Sequence, residues 1–418
     1  MEINRFTLSN GLRVVHSHDK ATAMVAVNVL YGVGARDEQA DLTGMAHLFE
    51  HLMFGGSANI ADFDGRLSAA GGVSNAWTSH DFTNFYEVLP AVNFETALWL
   101  ESDRMLQLGF VEKSLEVQRS VVIEEFKQVC LNRPYGDMEH AFRRLAFKQH
   151  PYRFPVIGKE FAHIEKVTMD DVRQWFYSHY APNNAVVAVC GNVSLQQTRE
   201  AVERWFGDIP RRDIAVRCRV VDPLPEAPRY EVMSGNVPQT ALNIGYPMPA
   251  YGTEGYFESD MLSDVLANGQ SSRFYRKLLL GTGLFTEIDA AIQGTEDPGL
   301  FTITAKLSQN GEDAEAQAIA AINAELQLLC DELIGEHELQ RCVNRLESTR
   351  TFSLLNYLSV AQTLATDAMH GEDTNEFMKP YRAITPESLQ AVARRIFNPM
   401  HSITLVYRPD AISQGQLK

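Results

Sequence analysis

His47, Glu50 and His51 fall in the run His47-Leu48-Phe49-Glu50-His51, two imidazoles four residues apart with a carboxylate directly before the second. On a helix of about 3.6 residues per turn, positions 47 and 51 rise one above the other on a single face, the spacing at which two side chains grip one metal ion. Glu50 shares that face, three residues from His47, and is placed to move a proton beside the metal. The flanks Met45-Ala46, Leu48-Phe49 and Leu52-Met53-Phe54 are helix formers or apolar, which predicts a buried helix holding the imidazoles in a dry, fixed geometry. Gly55-Gly56 then ends it.

The order His-x-x-Glu-His inverts the His-Glu-x-x-His signature of zinc hydrolases. With 12 His in 418 residues, chance produces it in only about 2 of 100 such chains. The bland alternative is two satisfied core histidines and a surface Glu50 on an ordinary amphipathic helix. A catalytic zinc takes about three protein ligands and keeps another position for water, so a further ligand must come from elsewhere. The segment 113–129, KSLEVQRSVVIEEFKQV, lacks Gly and Pro and has apolar residues at 117, 121, 122 and 126, which predicts a helix with Glu124-Glu125 beside its apolar stripe. Either carboxylate could turn inward to the metal or stay solvated, and spacing does not choose between them.

Several stretches occur in order along the chain: LSNGLRVV, GVGARDEQADLTGMAHLFEHLMFGGS, AAGGVSNAWTSHDFTNFYEVLP, VVIEEFKQ, HPYRFPVIG, YAPNNAVVAVCGNV and WFGDIP. On these the chain resembles the pitrilysin and insulinase family of zinc metallopeptidases, in its short processing peptidase-like branch, over nearly its whole length. The resemblance implies one Zn²⁺ per chain, held by His47, His51 and Glu125, with Glu124 as the exposed neighbour. Gln118 stands where the family often has an acidic residue, seven positions before Glu125, which removes a supporting carboxylate from the site. Glu50 is expected to be the general base, taking a proton from water and passing it to the leaving amine. The run Gly72 to Thr78 matches a family strand that pairs with the substrate backbone at a sheet edge, so Asn75, Ala76, Trp77 and Thr78 are the expected substrate-binding residues. Relatives also carry an Arg and a Tyr in the second half that reach the substrate carbonyl. Leu279 and Thr286 stand there instead, with Arg276 and Tyr275 nearby in sequence.

Composition fits a soluble two-domain enzyme: 45% of residues are hydrophobic, enough for sizeable cores. The five cysteines, at 130, 190, 218, 330 and 342, have neither zinc-finger nor redox spacing, which favours a reducing compartment. The start MEINRFTLSNG lacks the basic and apolar regions of a signal peptide, and no stretch has a membrane span's length, so the expected location is cytoplasmic, or periplasmic if a leader has been removed. A net charge of -16 without clustered Lys and Arg argues against nucleic acid as a partner. The acidity serves solubility or attracts cationic peptides.

An internal repeat is visible. Thr168 to Pro182 and Thr385 to Pro399 share a Thr, a helical stretch, an aromatic and a closing Pro, each followed by a β-rich run, and VNVLY at 27–31 echoes LNIGY at 242–246. The offset is half the chain, which indicates a duplicated domain. Pro210, Pro223, Pro225 and Pro228 mark the link, giving expected domains at 1–211 and 230–418 with a linker at 212–229. Each half reads as α+β, an antiparallel sheet with helices on one face. Leu262 to Leu266 is read as the counterpart of His47 to His51, so the second half is expected to lack a metal site. The Gly269 to Arg273 stretch resembles a family loop or makes a plain capping turn.

Three function classes follow. The leading one is a zinc endopeptidase for short or unstructured peptides, acting as a homodimer or as a heterodimer with a related chain lacking the zinc motif. The second is a non-catalytic or half-active subunit of such a heterodimer. The third is a small-molecule metal lyase, which the chain's length and duplicated halves disfavour.

Overall fold

The structure, a computed structural model, describes residues 1–217 and 220–410. The first half runs β1 (Asn4–Thr7), β2 (Arg13–His18), β3 (Met24–Tyr31), α1 (Met45–Leu52), α2 (Phe63–Ala69), β4 (Val73–Thr78), β5 (Thr83–Pro90), α3 (Phe94–Leu106), α4 (Glu112–Phe126), α5 (Met138–Ala146), α6 (Phe161–Glu165), α7 (Met169–His179), β6 (Ala185–Gly191) and α8 (Leu195–Phe206). The second runs β7 (Arg229–Gly235), β8 (Ala241–Met248), α9 (Tyr256–Ala267), β9 (Phe285–Gln293), β10 (Gly299–Leu307), α10 (Glu312–Asp331), α11 (Glu336–Ser353), α12 (Tyr357–His370), α13 (Met378–Arg382), α14 (Pro386–Ile396) and β11 (Ile403–Pro409). Among the described residues no helix is long and apolar enough to cross a membrane.

The α+β class is as expected, and the repeat is carried by its capping chemistry. Thr168 and Thr385 each accept the backbone N–H three residues on, from Asp171 and Ser388, and so start α7 and α14 at equivalent places. The sheets run β1-β2-β6-β3-β5-β4 and β7-β11-β8-β10-β9. Their pairs are antiparallel except for β2–β6 and β7–β11, which are parallel. A strand returning from a helical excursion is free of hairpin geometry and can enter in either direction.

β6 is buried at every position because both faces of its sheet are covered. On one face Val187 and Val189 join Val25, Val27 and Val29 beneath Phe49 of α1, Leu98 of α3, Phe176 of α7 and Val202 of α8. On the other, Val186 and Ala188 join Val15, Ala26 and Leu30 beneath Val360, Ala361, Leu364 and Ala365 of α12. The helices therefore do not keep to one face.

The covering helix α12 comes from the second half of the chain. The chain forms two compact units that trade segments: residues 349–377 belong with the first sheet, and residues 127–153 with the second. In the second unit Met138, Phe142 and Leu145 of α5 pack with Val237, Leu300, Ile403 and Leu405. A Cβ at Gly245 would meet Phe142 at 2.7 Å, so the bare glycine makes room for the ring. The division at 212–229 read from the repeat is a division of the sequence, and these two helices cross it.

Candidate metal centre and active site

The helix α1 is short, and its apolar residues Met45, Ala46, Leu48, Phe49 and Leu52 are buried in the core of the first unit. Burial of those positions leaves His47, Glu50 and His51 on the remaining face, with side chains 15, 13 and 25% exposed. The imidazole rings stand 4.9 Å apart at 80°. Helix α4 brings Glu125 against them: its Oε2 lies 3.1 Å from His47 Nε2 and 3.5 Å from His51 Nε2. Two ligands at zinc distance in a tetrahedron lie about 3.3 Å apart, so these separations suit a zinc ion. All three ligand atoms fall within 4.8 Å of one another, the only such group of three or more His, Cys, Asp or Glu among the described residues.

Glu124 is exposed, one step around the helix. The stripe of α4 differs from the expected one. Leu115, Val122 and Phe126 are its buried residues, whereas Val117 and Val121 are 49 and 45% exposed. The latter two precede Glu125 at successive spacings of four, so they share the helix face that carries the ligand.

The electrostatics favour a cation. Burial pulls the His47 pKa down, but the hydrogen bonds and charges of Glu125 and Glu50 outweigh it and raise it to about 9. Its two imidazole partners hold the Glu125 carboxyl far below the usual carboxylate range. A field that holds a proton on His47 also attracts a metal ion, which takes that proton's place.

Glu50 Oε2 accepts a hydrogen bond from Thr78 Oγ1 at 2.5 Å and lies 3.7 Å from His47 Nδ1. Thr78 ends β4, an edge strand that among the described residues pairs with β5 alone. Its side chain turns to Glu50; Ser74 and Ala76 share its face and are half-buried, while Val73, Asn75 and Trp77 are exposed. The backbone N–H of Ala76 donates to Asn75 Oδ1 at 2.8 Å. A peptide adding to this edge would have to displace that side chain to reach the donor.

One participant escaped the sequence reading. Glu38 Oε2 accepts from the Gly44 N–H at 2.9 Å and Oε1 from the Ala46 N–H at 2.8 Å. Both oxygens accept, the arrangement of an ionised carboxylate, although burial pushes its pKa up to about 8 against the pull of those bonds and of His47. It lies six residues before Gly44, outside the usual capping pattern, so no local signal marked it.

In the second unit Leu279 and Thr286 line one cavity with Arg133 and Tyr135. The Tyr135 hydroxyl donates to Gln239 O at 2.7 Å. Tyr275 is half-buried and Arg276 exposed on a π-helical turn, Phe274–Leu279. The Gly269 to Arg273 stretch makes a turn, with Ser272 N–H bonded to Gly269 O, and Arg273 pairs with Glu338 at 2.9 Å.

The counterpart of the metal helix needs a correction. Helices α1 and α9 both start at a left-handed glycine, Gly44 with φ 88° and Gly255 with φ 88°. Those glycines align His47 and His51 with Glu258 and Leu262, so the matching stretch is 258–262 rather than 262–266.

Two family models match the chain, "Insulinase (Peptidase family M16)" over residues 13–158 and "Peptidase M16 inactive domain" over residues 166–346. A zinc protease PqqE of Helicobacter pylori is 27% identical over 96% of this chain and 92% of its own length. An uncharacterized zinc protease of Mycobacterium bovis, Mb2805c, is 30% identical over 72% of this chain and 69% of its own. The crystal structure of a protease from Helicobacter pylori superposes with a TM-score of 0.90 at 27% identity, covering 98% of this chain and all of that one. Pitrilysin shares the fold, with a TM-score of 0.83 at 17% identity over 98% of this chain and 45% of its own. The chain belongs to the insulinase family, peptidase family M16, whose relatives include proteins named as zinc proteases.

Proposed function

We propose that this protein is a zinc endopeptidase that hydrolyses short or unstructured peptides, with His47, His51 and Glu125 as ligands of one zinc ion and Glu50 as general base. The observation that carries the reading is the convergence of the three ligand atoms within 4.8 Å beside Glu50, on the unit that also offers the open edge of β4. Bound there, zinc would make a coordinated water acidic, towards a pKa of about 7, and polarise the scissile carbonyl. Thr78 engages Glu50 Oε2, which leaves Oε1 to take the water proton and hand it to the leaving amine nitrogen. An extended peptide lies along β4, so unfolded segments are cut and folded domains spared.

Zinc content and turnover separate the roles. Glu50→Gln keeps its zinc and loses about 10²- to 10⁴-fold in turnover, whereas His47→Ala loses both. Equal activity in Glu50→Gln would refute the assignment of the base.

A second reading rests on Leu279 and Thr286 themselves, whose side chains are neither cation nor phenol, although Arg133, Lys306 and Tyr135 line the same cavity. In that reading the chain is half of a heterodimer, and the zinc-loaded protein stays silent until a related chain is added.

A further inference from the structure

Helix α1 carries both imidazoles and the base on eight residues, yet its own N-cap, Gly44, has no side chain to cap it. A helix start leaves backbone N–H groups without partners, and a Ser, Thr, Asp or Asn at the N-cap usually takes one of them. Position 44 cannot supply such a side chain. Its φ is 88°, and a Cβ there would sit 2.9 Å from Ile157 O. The Gly44 and Ala46 N–H groups instead reach the two oxygens of Glu38.

The duplicated unit allows a comparison of connection lengths. Helix α9 also begins at a left-handed glycine without a side-chain cap. Gly44 follows the end of β3 by 13 positions, but Gly255 follows the end of β8 by only 7. The extra length in the first unit includes the 3₁₀ turn Ala35–Asp37 and Glu38 itself. The longer connection accompanies the helix that bears the ligands, and its Glu38 supplies the two acceptor oxygens at that helix start.

The same segment is anchored to the β4–β5 hairpin. Ala35 N–H donates to Ser79 O at 3.1 Å, Arg36 N–H donates to His80 O at 2.9 Å, and the Arg36 guanidinium pairs with Asp81 at 2.9 Å. Asp37 is held in turn by Arg217, with contacts of 2.8 and 2.9 Å. One short stretch thus grips the start of the ligand helix at one end and the turn after Thr78 at the other.

We propose that Glu38 is the positioning residue of the metal centre: by capping α1 from a segment fixed to the β4–β5 turn, it sets His47 and His51 for the metal and Glu50 against Thr78. Only the activity arm of this inference rests on the peptidase reading. The metal arm stands on the ligand geometry.

The test compares the full chain with Glu38→Ala and Glu38→Gln, using Thr168→Ala, which removes the cap of α7 in the same unit, as a control for general loss of stability. Zn²⁺ affinity is read by competition with a chromophoric chelator, the site's symmetry by the visible spectrum of bound Co²⁺, and turnover by kcat and KM on a peptide. Glu38→Ala should weaken Zn²⁺ binding about 10- to 100-fold, alter the Co²⁺ bands, and lower kcat at unchanged KM. Glu38→Gln keeps one acceptor oxygen and should fall between, and it decides the question if the alanine variant does not fold. Thr168→Ala should bind both metals as the unaltered protein does. Glu38 variants with unaltered Zn²⁺ affinity and Co²⁺ spectrum would overturn the inference, whatever their thermal stability. An unaltered protein that binds Zn²⁺ and cuts no peptide would remove the peptidase reading alone, and one that binds neither metal would remove both.

Discussion

Replacing Thr78 by Val keeps the side chain's shape and removes the O–H that donates to Glu50 Oε2 at 2.5 Å. Thr78 was expected to contact substrate, but its side chain points inward to the base, and the two roles predict different kinetics. A hydrogen bond to a charged group contributes about 1.5 to 3 kcal/mol, which at about 1.4 kcal/mol per tenfold corresponds to a loss of about 10- to 150-fold. If the bond holds Glu50 in line for proton transfer, that loss falls on kcat, KM stays within about twofold, and zinc content is unchanged. If Thr78 served substrate binding, KM would rise at constant kcat. The assay is steady-state cleavage of a quenched fluorescent peptide by zinc-loaded Thr78→Val and Thr78→Ser, the latter retaining the hydroxyl and most of the activity. A Thr78→Val enzyme with unaltered kcat, or one impaired only in KM, would refute the positioning role.

Other perturbations test the remaining layers. Burial lowers the His47 pKa, but Glu125 and Glu50 raise it to about 9, so below that pH zinc must displace a proton. Apparent zinc affinity should therefore keep climbing between about pH 6.5 and 8.5, by up to about tenfold per unit, and a plateau by about pH 7 in chelator competition would count against it. Leu364→Ala, on α12 beneath the first sheet with 0% exposure, should cost about 2 to 5 kcal/mol in urea unfolding, and a cost under about 1 kcal/mol would deny α12 its place in that core. Gly44→Ala forces a Cβ into a left-handed backbone and to 2.9 Å from Ile157 O, so it should destabilise by about 2 kcal/mol, read by the same method, whereas a neutral effect would contradict the packing there.

Where the chemistry is local, the residues announced it. His47, Glu50 and His51 share one turn of one helix, so periodicity alone put them on a common face. Glu125 needed the family resemblance, because two adjacent carboxylates on a helix look alike until the neighbouring helix is in place. The stripe on α4 misled for a related reason. Val117 and Val121 are apolar, yet they share the face of Glu125, and periodicity does not distinguish a core face from one kept open beside a site. The direction of Thr78 depends on the hairpin register, which pairs it with Thr83 across a tight turn and turns every second side chain inward. The helix trade was invisible because an amphipathic pattern shows that α5 and α12 bury a face without showing which sheet receives it. The misplaced counterpart of the metal helix came from carrying a constant offset through a connection whose length differs between the halves.

Mass spectrometry of a mixed pool of unstructured peptides, incubated with zinc-loaded protein and with equally loaded Glu50→Gln, tests the central claim most directly. Internal cleavage by the unaltered protein, absent from the Glu50→Gln sample at the same zinc content, is the expected result. Equal cleavage in both samples, or none from a protein shown to hold zinc, would contradict a self-sufficient endopeptidase with Glu50 as its base.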